Sequence, residues 1–137
     1  MTIEITKQAV QLWHQMIKTG DLSILNDLLS DDVVFRSPVA HKPYGGKQVV
    51  FFILSNVIQV FQDFTYHREF YTDDGESVVL EFSANVSGKS LKGIDMIRFD
   101  EQGKITDFEV MIRPMSGLAA LAEQMGARLA QYQTAQS

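Results

Sequence analysis

The 137-residue chain has no cysteine, which excludes disulfides, thiolate nucleophiles and cysteine-ligated zinc. Basic charge is scarce: 12 Lys and Arg against 17 Asp and Glu give a net charge of −5 and a pI near 5.1. The basic residues are scattered rather than clustered, so a nucleic-acid groove is not expected. No apolar run reaches the roughly 18 residues of a membrane span. The opening Met1 to Lys7 lacks a basic stretch followed by an apolar one, so no signal peptide is expected. The 3 histidines, His14, His41 and His67, are dispersed without the short spacing of a metal site, and neither metal nor cofactor is expected. Repeats, linkers and low-complexity tracts are also missing. What remains, 45% hydrophobic and 21% charged residues, is ordinary for a globular protein. We expect one cytoplasmic domain over residues 1–137, large enough to bury a core.

Ala9, Val10, Leu12, Trp13, Met16 and Ile17 repeat at helical spacing, and Gly20 closes that helix. Asp21 can cap a second helix carrying Leu22, Leu25, Leu28 and Leu29. A strand over Val33 to Ser37 is halted by Pro38, and Ala40 to Gly46 reads as a turn-rich loop. The apolar segment from Val49 to Phe61 is rich in β-branched residues, but its length favours a buried helix. Four alternating segments follow: Phe64 to Tyr71, Ser77 to Val86, Ser90 to Asp100 and Ile105 to Arg113. Leu118, Leu121, Ala122, Met125 and Leu129 give a closing helix over about 116–130, which could cap a cavity or pack across a dimer, and a polar tail, 131–137, is expected to fray. Helices set apart from an antiparallel sheet define an α+β domain, and a long sheet curved around them encloses a cone-shaped cavity.

Within the third alternating segment, Leu91, Gly93, Asp95, Ile97 and Phe99 share one face. A carboxylate on an otherwise apolar face must be paired, hydrogen-bonded or protonated. Asp95 is therefore either a structural carboxylate paired with a neighbouring strand or the working group of a cavity.

The pieces Trp13, Gly20-Asp21-Leu22, Leu28 to Pro38, Pro43-Tyr44-Gly45-Gly46 and Gly93 to Ile105 resemble the superfamily of nuclear transport factor 2, ketosteroid isomerase and SnoaL-like polyketide cyclases. The resemblance covers residues 5–113 and implies a cystatin-like α+β barrel. It aligns Asp95 with the isomerase's aspartic acid, kept protonated in an apolar site to donate into an oxyanion hole. The isomerase's general-base aspartate falls on Ser37. Its oxyanion-donating tyrosine falls on Trp13, whose indole can donate but not titrate. The arginine of the limonene epoxide hydrolase type falls on Gly93. The fold hosts enzymes and non-enzymes alike, so it does not fix activity. The resemblance also implies a homodimer through the outer sheet face.

Asp95 is the candidate acid or oxyanion stabiliser. His41, in the loop between Pro38 and Pro43, is the candidate base, since histidine titrates near neutrality. Trp13, Phe35 and Ser37 are expected to line the cavity beside it. So are Leu80 and Phe82 from one strand and Phe108, Val110 and Ile112 from another. An apolar or aromatic small molecule is the expected ligand, acted on by an isomerase, cyclase or dehydratase next to a carbonyl. The alternative is a non-catalytic binding or dimerisation module whose apolar side chains fill the space. His67 is expected on one strand face with Thr65, Glu69 and Tyr71, and His14 in solvent.

Overall fold

Helix α1 (Thr2–Thr19) buries Ala9, Val10, Trp13 and Met16, the stripe set by three- and four-residue spacing. The structure, a computed structural model, describes residues 2–136 and the side chains of residues 2–130. Gly20, with φ of 75°, ends α1 in the left-handed conformation that glycine adopts without strain. The Asp21 carboxylate then accepts from the Ser23 amide at 3.0 Å and caps α2 (Leu22–Leu28).

Strand β1 (Leu29–Arg36) begins earlier than its alternation suggested. Leu29 is not helical: its extended backbone, φ −80° and ψ 132°, is the C-cap of α2. The loop before the third helix contains a strand too, β2 (Tyr44–Gly45), which pairs antiparallel with Val34 and Phe35. The apolar segment with conflicting signals is helix α3 (Lys47–Val60), with Val50, Ile53 and Leu54 buried.

Strands β3 (Gln62–Tyr71), β4 (Ser77–Val86), β5 (Lys89–Phe99) and β6 (Ile105–Arg113) form the expected meander, and α4 (Met115–Gln136) closes the fold. Helix α4 thus runs through the segment expected to fray, whose side chains from Gln131 lie outside the described residues. Among the described residues the six strands make one sheet in the order β2-β1-β6-β5-β4-β3. Strand β1 runs parallel to β6, and every other pairing is antiparallel. The α+β architecture read from the element order is the one observed.

Alternation assigns the sheet faces. Leu91, Asp95, Ile97 and Phe99 of β5 and Val78, Leu80, Phe82, Ala84 and Val86 of β4 are buried on the helix side. Strand β3 departs from simple alternation because its register shifts between Tyr66 and Glu69. Glu69 and Tyr71 consequently turn to α1, where His14 Nε2 lies 2.8 Å from Glu69 Oε1 and the Lys7 ammonium sits over Tyr71. His67 lies on the opposite face against Ser83 Oγ at 2.8 Å. The expected shared row of His67, Glu69 and Tyr71 is split by this bulge, and His14 is hydrogen-bonded to Glu69 rather than free in solvent. Among the described residues no helix is long and apolar enough to cross a membrane.

Candidate functional site

Between the sheet's inner face and helices α1, α3 and α4 lies a cavity of about 680 Å³. The inward side chains do not fill it, which removes the filled-core form of the alternative reading. Its sheet wall is Phe35, Tyr66, Asp95, Phe108, Val110 and Ile112. Trp13 and Ile17 come from α1, Phe52 and Ile53 from α3, and Leu121, Met125 and Leu129 from α4. The closing helix therefore covers this chain's own cavity. Val39 and Val49, 44% and 45% exposed, line the cavity next to Ser37 and Gln48 and mark its mouth.

Asp95 sits at the centre of β5, paired with Leu80 on one side and Val110 on the other. It is 5% exposed. Tyr66, two strands away on β3, reaches across β4 and donates its hydroxyl hydrogen to Asp95 Oδ2 at 2.7 Å. The Trp13 indole N–H donates in turn to the Tyr66 oxygen at 2.7 Å. The three groups form a directed chain from α1 to β5, and each bond polarises the next. Among the described residues Tyr66 is the hydrogen-bond partner of Asp95, which leaves Oδ1 open towards the cavity.

Burial raises the Asp95 carboxyl from 3.8 to about 7, with the Tyr66 hydrogen bond pulling the other way. Burial, reinforced by the neighbouring Asp95 charge, lifts the Tyr66 hydroxyl well above the usual phenol range. Tyr66 therefore stays a donor at neutral pH, while Asp95 exists in both forms.

Aromatic packing holds the relay in place. The Trp13 ring lies 5.2 Å from Phe108, which lies 5.8 Å from Phe35. Phe64 meets Tyr66 edge-on at 4.8 Å and stacks on Phe82 at 5.0 Å. Two expectations about the lining are corrected. Phe82 and Leu80 face the helix side as expected, but they are 1% exposed and absent from the lining; Phe64 covers Phe82.

His41 is a further correction. It is exposed on the loop before β2 and does not line the cavity, so this structure does not bring it to Asp95. Trp13, Phe35, Ser37, Phe108, Val110 and Ile112 all do line it with Asp95. Tyr66 was missed. Its signal was its place beside Phe64 on the β3 face opposite His67, but its reach to Asp95 depends on the pairing of three strands. Gly93 also explains why arginine is missing two residues before Asp95. A Cβ there would stand 2.5 Å from the Met111 carbonyl oxygen and 2.7 Å from Phe82 Cζ, so no side chain fits.

The model of the SnoaL-like domain matches residues 10–108. This chain belongs to the SnoaL-like domain family. The SnoaL-like chain is 58% identical to a protein from Pseudomonas aeruginosa described as a steroid delta-isomerase, with 95% of each chain covered and a TM-score of 0.91. A bacterial protein with a cystatin-like fold from Silicibacter pomeroyi is 34% identical, over 89% of this SnoaL-like chain and 85% of its own, with a TM-score of 0.83. An NTF2-like protein of unknown function from Mesorhizobium loti shares the fold alone, at 16% identity, with 81% and 93% covered and a TM-score of 0.71. No match was found among curated protein sequences. The cystatin-like, NTF2-like fold implied by the sequence is thereby shown.

Proposed function

We propose that this SnoaL-like protein is a cofactor-independent acid–base enzyme of the isomerase, cyclase or dehydratase type. Its substrate would be an apolar or aromatic small molecule, and its reaction a proton transfer next to a carbonyl. The observation that carries the reading is Asp95: a buried carboxyl, held through one oxygen by Tyr66 and open through the other to a largely apolar cavity of about 680 Å³. A carboxyl near neutrality offers both an acid and a base at working pH, and its weakly hydrated surroundings strengthen any hydrogen bond it makes to developing charge. The likeness to the protein described as a steroid delta-isomerase supports the isomerase type.

Ser37 stands where the isomerase carries its base, and His41 lies outside the lining. Asp95 would therefore carry the proton itself, taking it from the carbon beside the carbonyl and returning it further along the chain. Tyr66 fixes the carboxyl plane and supports its ionised form, and Trp13 fixes Tyr66. The cysteine-free sequence fits a cytoplasmic setting. A second copy docked on the outer sheet face would complete a homodimer.

The test is turnover of a polycyclic β,γ-unsaturated ketone, followed by absorbance of the conjugated product, beside a thermal-shift measurement with the same compound. Asp95→Asn should lower the rate by about 10²–10⁴-fold, and Tyr66→Phe by less. The missing second base favours a non-catalytic binding protein as the other reading. Ligand-induced stabilisation without turnover would establish that reading, and a ligand at 100 times its Kd adds about 2.7 kcal/mol. Neither stabilisation nor turnover across a panel of such ketones would sink both.

A further inference from the structure

Among the described residues the cavity wall carries one carboxyl and no opposite charge. Of its 24 lining residues none is Lys, Arg or His, Asp95 is the one acidic residue, and 8 are aromatic. Other groups nearby do not change this count. Among the described residues Tyr66 of β3 and Tyr44 of β2 are the remaining titratable residues in the lining, and α1, α3, α4, β1 and β6 contribute none. His14, next to Trp13 in sequence, packs edge-on against the Tyr66 ring at 5.0 Å but stays outside the lining, with its Nε2 2.8 Å from Glu69 Oε1. Glu81, the other buried carboxylate, is on the far face with Arg68 at 2.7 Å and Lys92 at 3.2 Å. Asp95 is thus the buried acid that the fold leaves without a cation, and its unshared oxygen faces the space a ligand would fill.

We propose that the cavity takes an apolar amine in its protonated form, the ammonium donating to Asp95 Oδ1 and the carbon skeleton lying among the aromatic rings, and that it rejects anions. This rests on the reading of the cavity as a small-molecule site; such an amine would occupy the Asp95 oxygen that the proposed ketone substrate needs and so compete with it. An ammonium supplies the counter-charge that Asp95 lacks, so the carboxylate no longer has to be neutralised by protonation. Trp13, Phe35, Phe108 and Tyr66 line the same cavity, and the face of an aromatic ring attracts a cation. A carboxylate or phosphate ligand would lose its water beside a like charge and meet no basic side chain.

The experiment compares three ligands on one polycyclic skeleton: a ketone, the corresponding secondary amine and the corresponding carboxylate, titrated calorimetrically at neutral pH. The amine should bind about tenfold tighter than the ketone, and the carboxylate should not bind detectably. Asp95→Asn should abolish the amine's advantage over the ketone. A second readout needs no variant. At about pH 6, where Asp95 holds its proton, amine binding should release one proton and ketone binding none, seen as a dependence of the heat on buffer ionisation. Ketone binding with an amine no tighter, or with no proton released, overturns the charge assignment alone. Failure of all three ligands overturns it together with the small-molecule reading.

Discussion

A buried carboxyl that rests near neutrality makes the stability of the whole chain depend on pH, and the sign follows from which state holds the proton. Asp95 titrates at about 7 when folded, against an ordinary value of 3.8. Between those values the folded chain keeps a proton that the unfolded chain has released. The contribution is therefore complete below the unfolded value and is lost as pH rises through 7. At roughly 1.4 kcal/mol per unit, the loss is at most about 4 kcal/mol. Glu81 acts in a separate window with the opposite sign: the Arg68 hydrogen bonds hold it down at about 2, so its contribution disappears as pH falls from 4.5 towards that value. Urea unfolding between about pH 5 and pH 8 should accordingly show stability falling with pH in the wild type, and a flatter profile in Asp95→Asn. Equal slopes in the two proteins would show that burial does not hold the Asp95 proton. The same experiment repeated with Tyr66→Phe isolates the hydrogen bond, whose loss should move the falling limb to higher pH.

At the scale of elements, the position of Asp95 depends on how closely β5 packs between its neighbours. Gly93, two residues away on the same face, has no room for even a methyl group, because the Met111 carbonyl oxygen lies 2.5 Å from where a Cβ would be. That oxygen belongs to β6, so relief requires the two strands to separate rather than one side chain to rotate. Gly93→Ala should destabilise the fold by about 1–3 kcal/mol and weaken ligand binding by displacing Asp95; an unchanged melting temperature and affinity would refute the packing argument. This tightness was legible in sequence only as a glycine on an apolar face. Elements with long uninterrupted patterns, α1 and β4 to β6, were readable because burial enforces the period along their whole length. Strand β2 is two residues long, too short to show a period. Strand β3 alternates in sequence, but its bulge moves Glu69 and Tyr71 to the helix side, and a bulge leaves no mark in alternation alone. Asp95, Trp13 and Ser37 could be placed from face and resemblance. Tyr66 could not, because its partner is set by the registers of β3 on β4 and β4 on β5 together. Leu80 and Phe82 were assigned the right face, but the depth of Phe82 is decided by Phe64 lying over it, a tertiary contact.

For the whole molecule, the unfinished part is the sheet face turned away from the helices. Phe70 pairs with Val79 and Val79 with Met96, so an apolar row crosses β3, β4 and β5 at one level. One level along, Ile94 is flanked by Glu81 and Met111. Phe70, Met96 and Met111 are 52%, 38% and 47% exposed, more apolar surface than a sheet needs when water covers it. Arg68, Lys92 and Glu81 form an ion-pair network within this surface, the Arg68 guanidinium lies over Phe70, and Glu109 stands beside Met96. A second copy of the chain, related by a two-fold axis, would place such rows against each other and satisfy both at once. A stable pairing of this kind buries about 800 Å² per partner. Sedimentation velocity at tens of micromolar should therefore give a dimer. Met96→Asp combined with Met111→Asp should give a monomer, because the two-fold axis brings the new charges of both copies into one apolar contact. The substitutions lie on the opposite face from the cavity, so the monomer should keep its ligand affinity. A wild-type chain that sediments as a monomer would mean that this face is solvated as it stands.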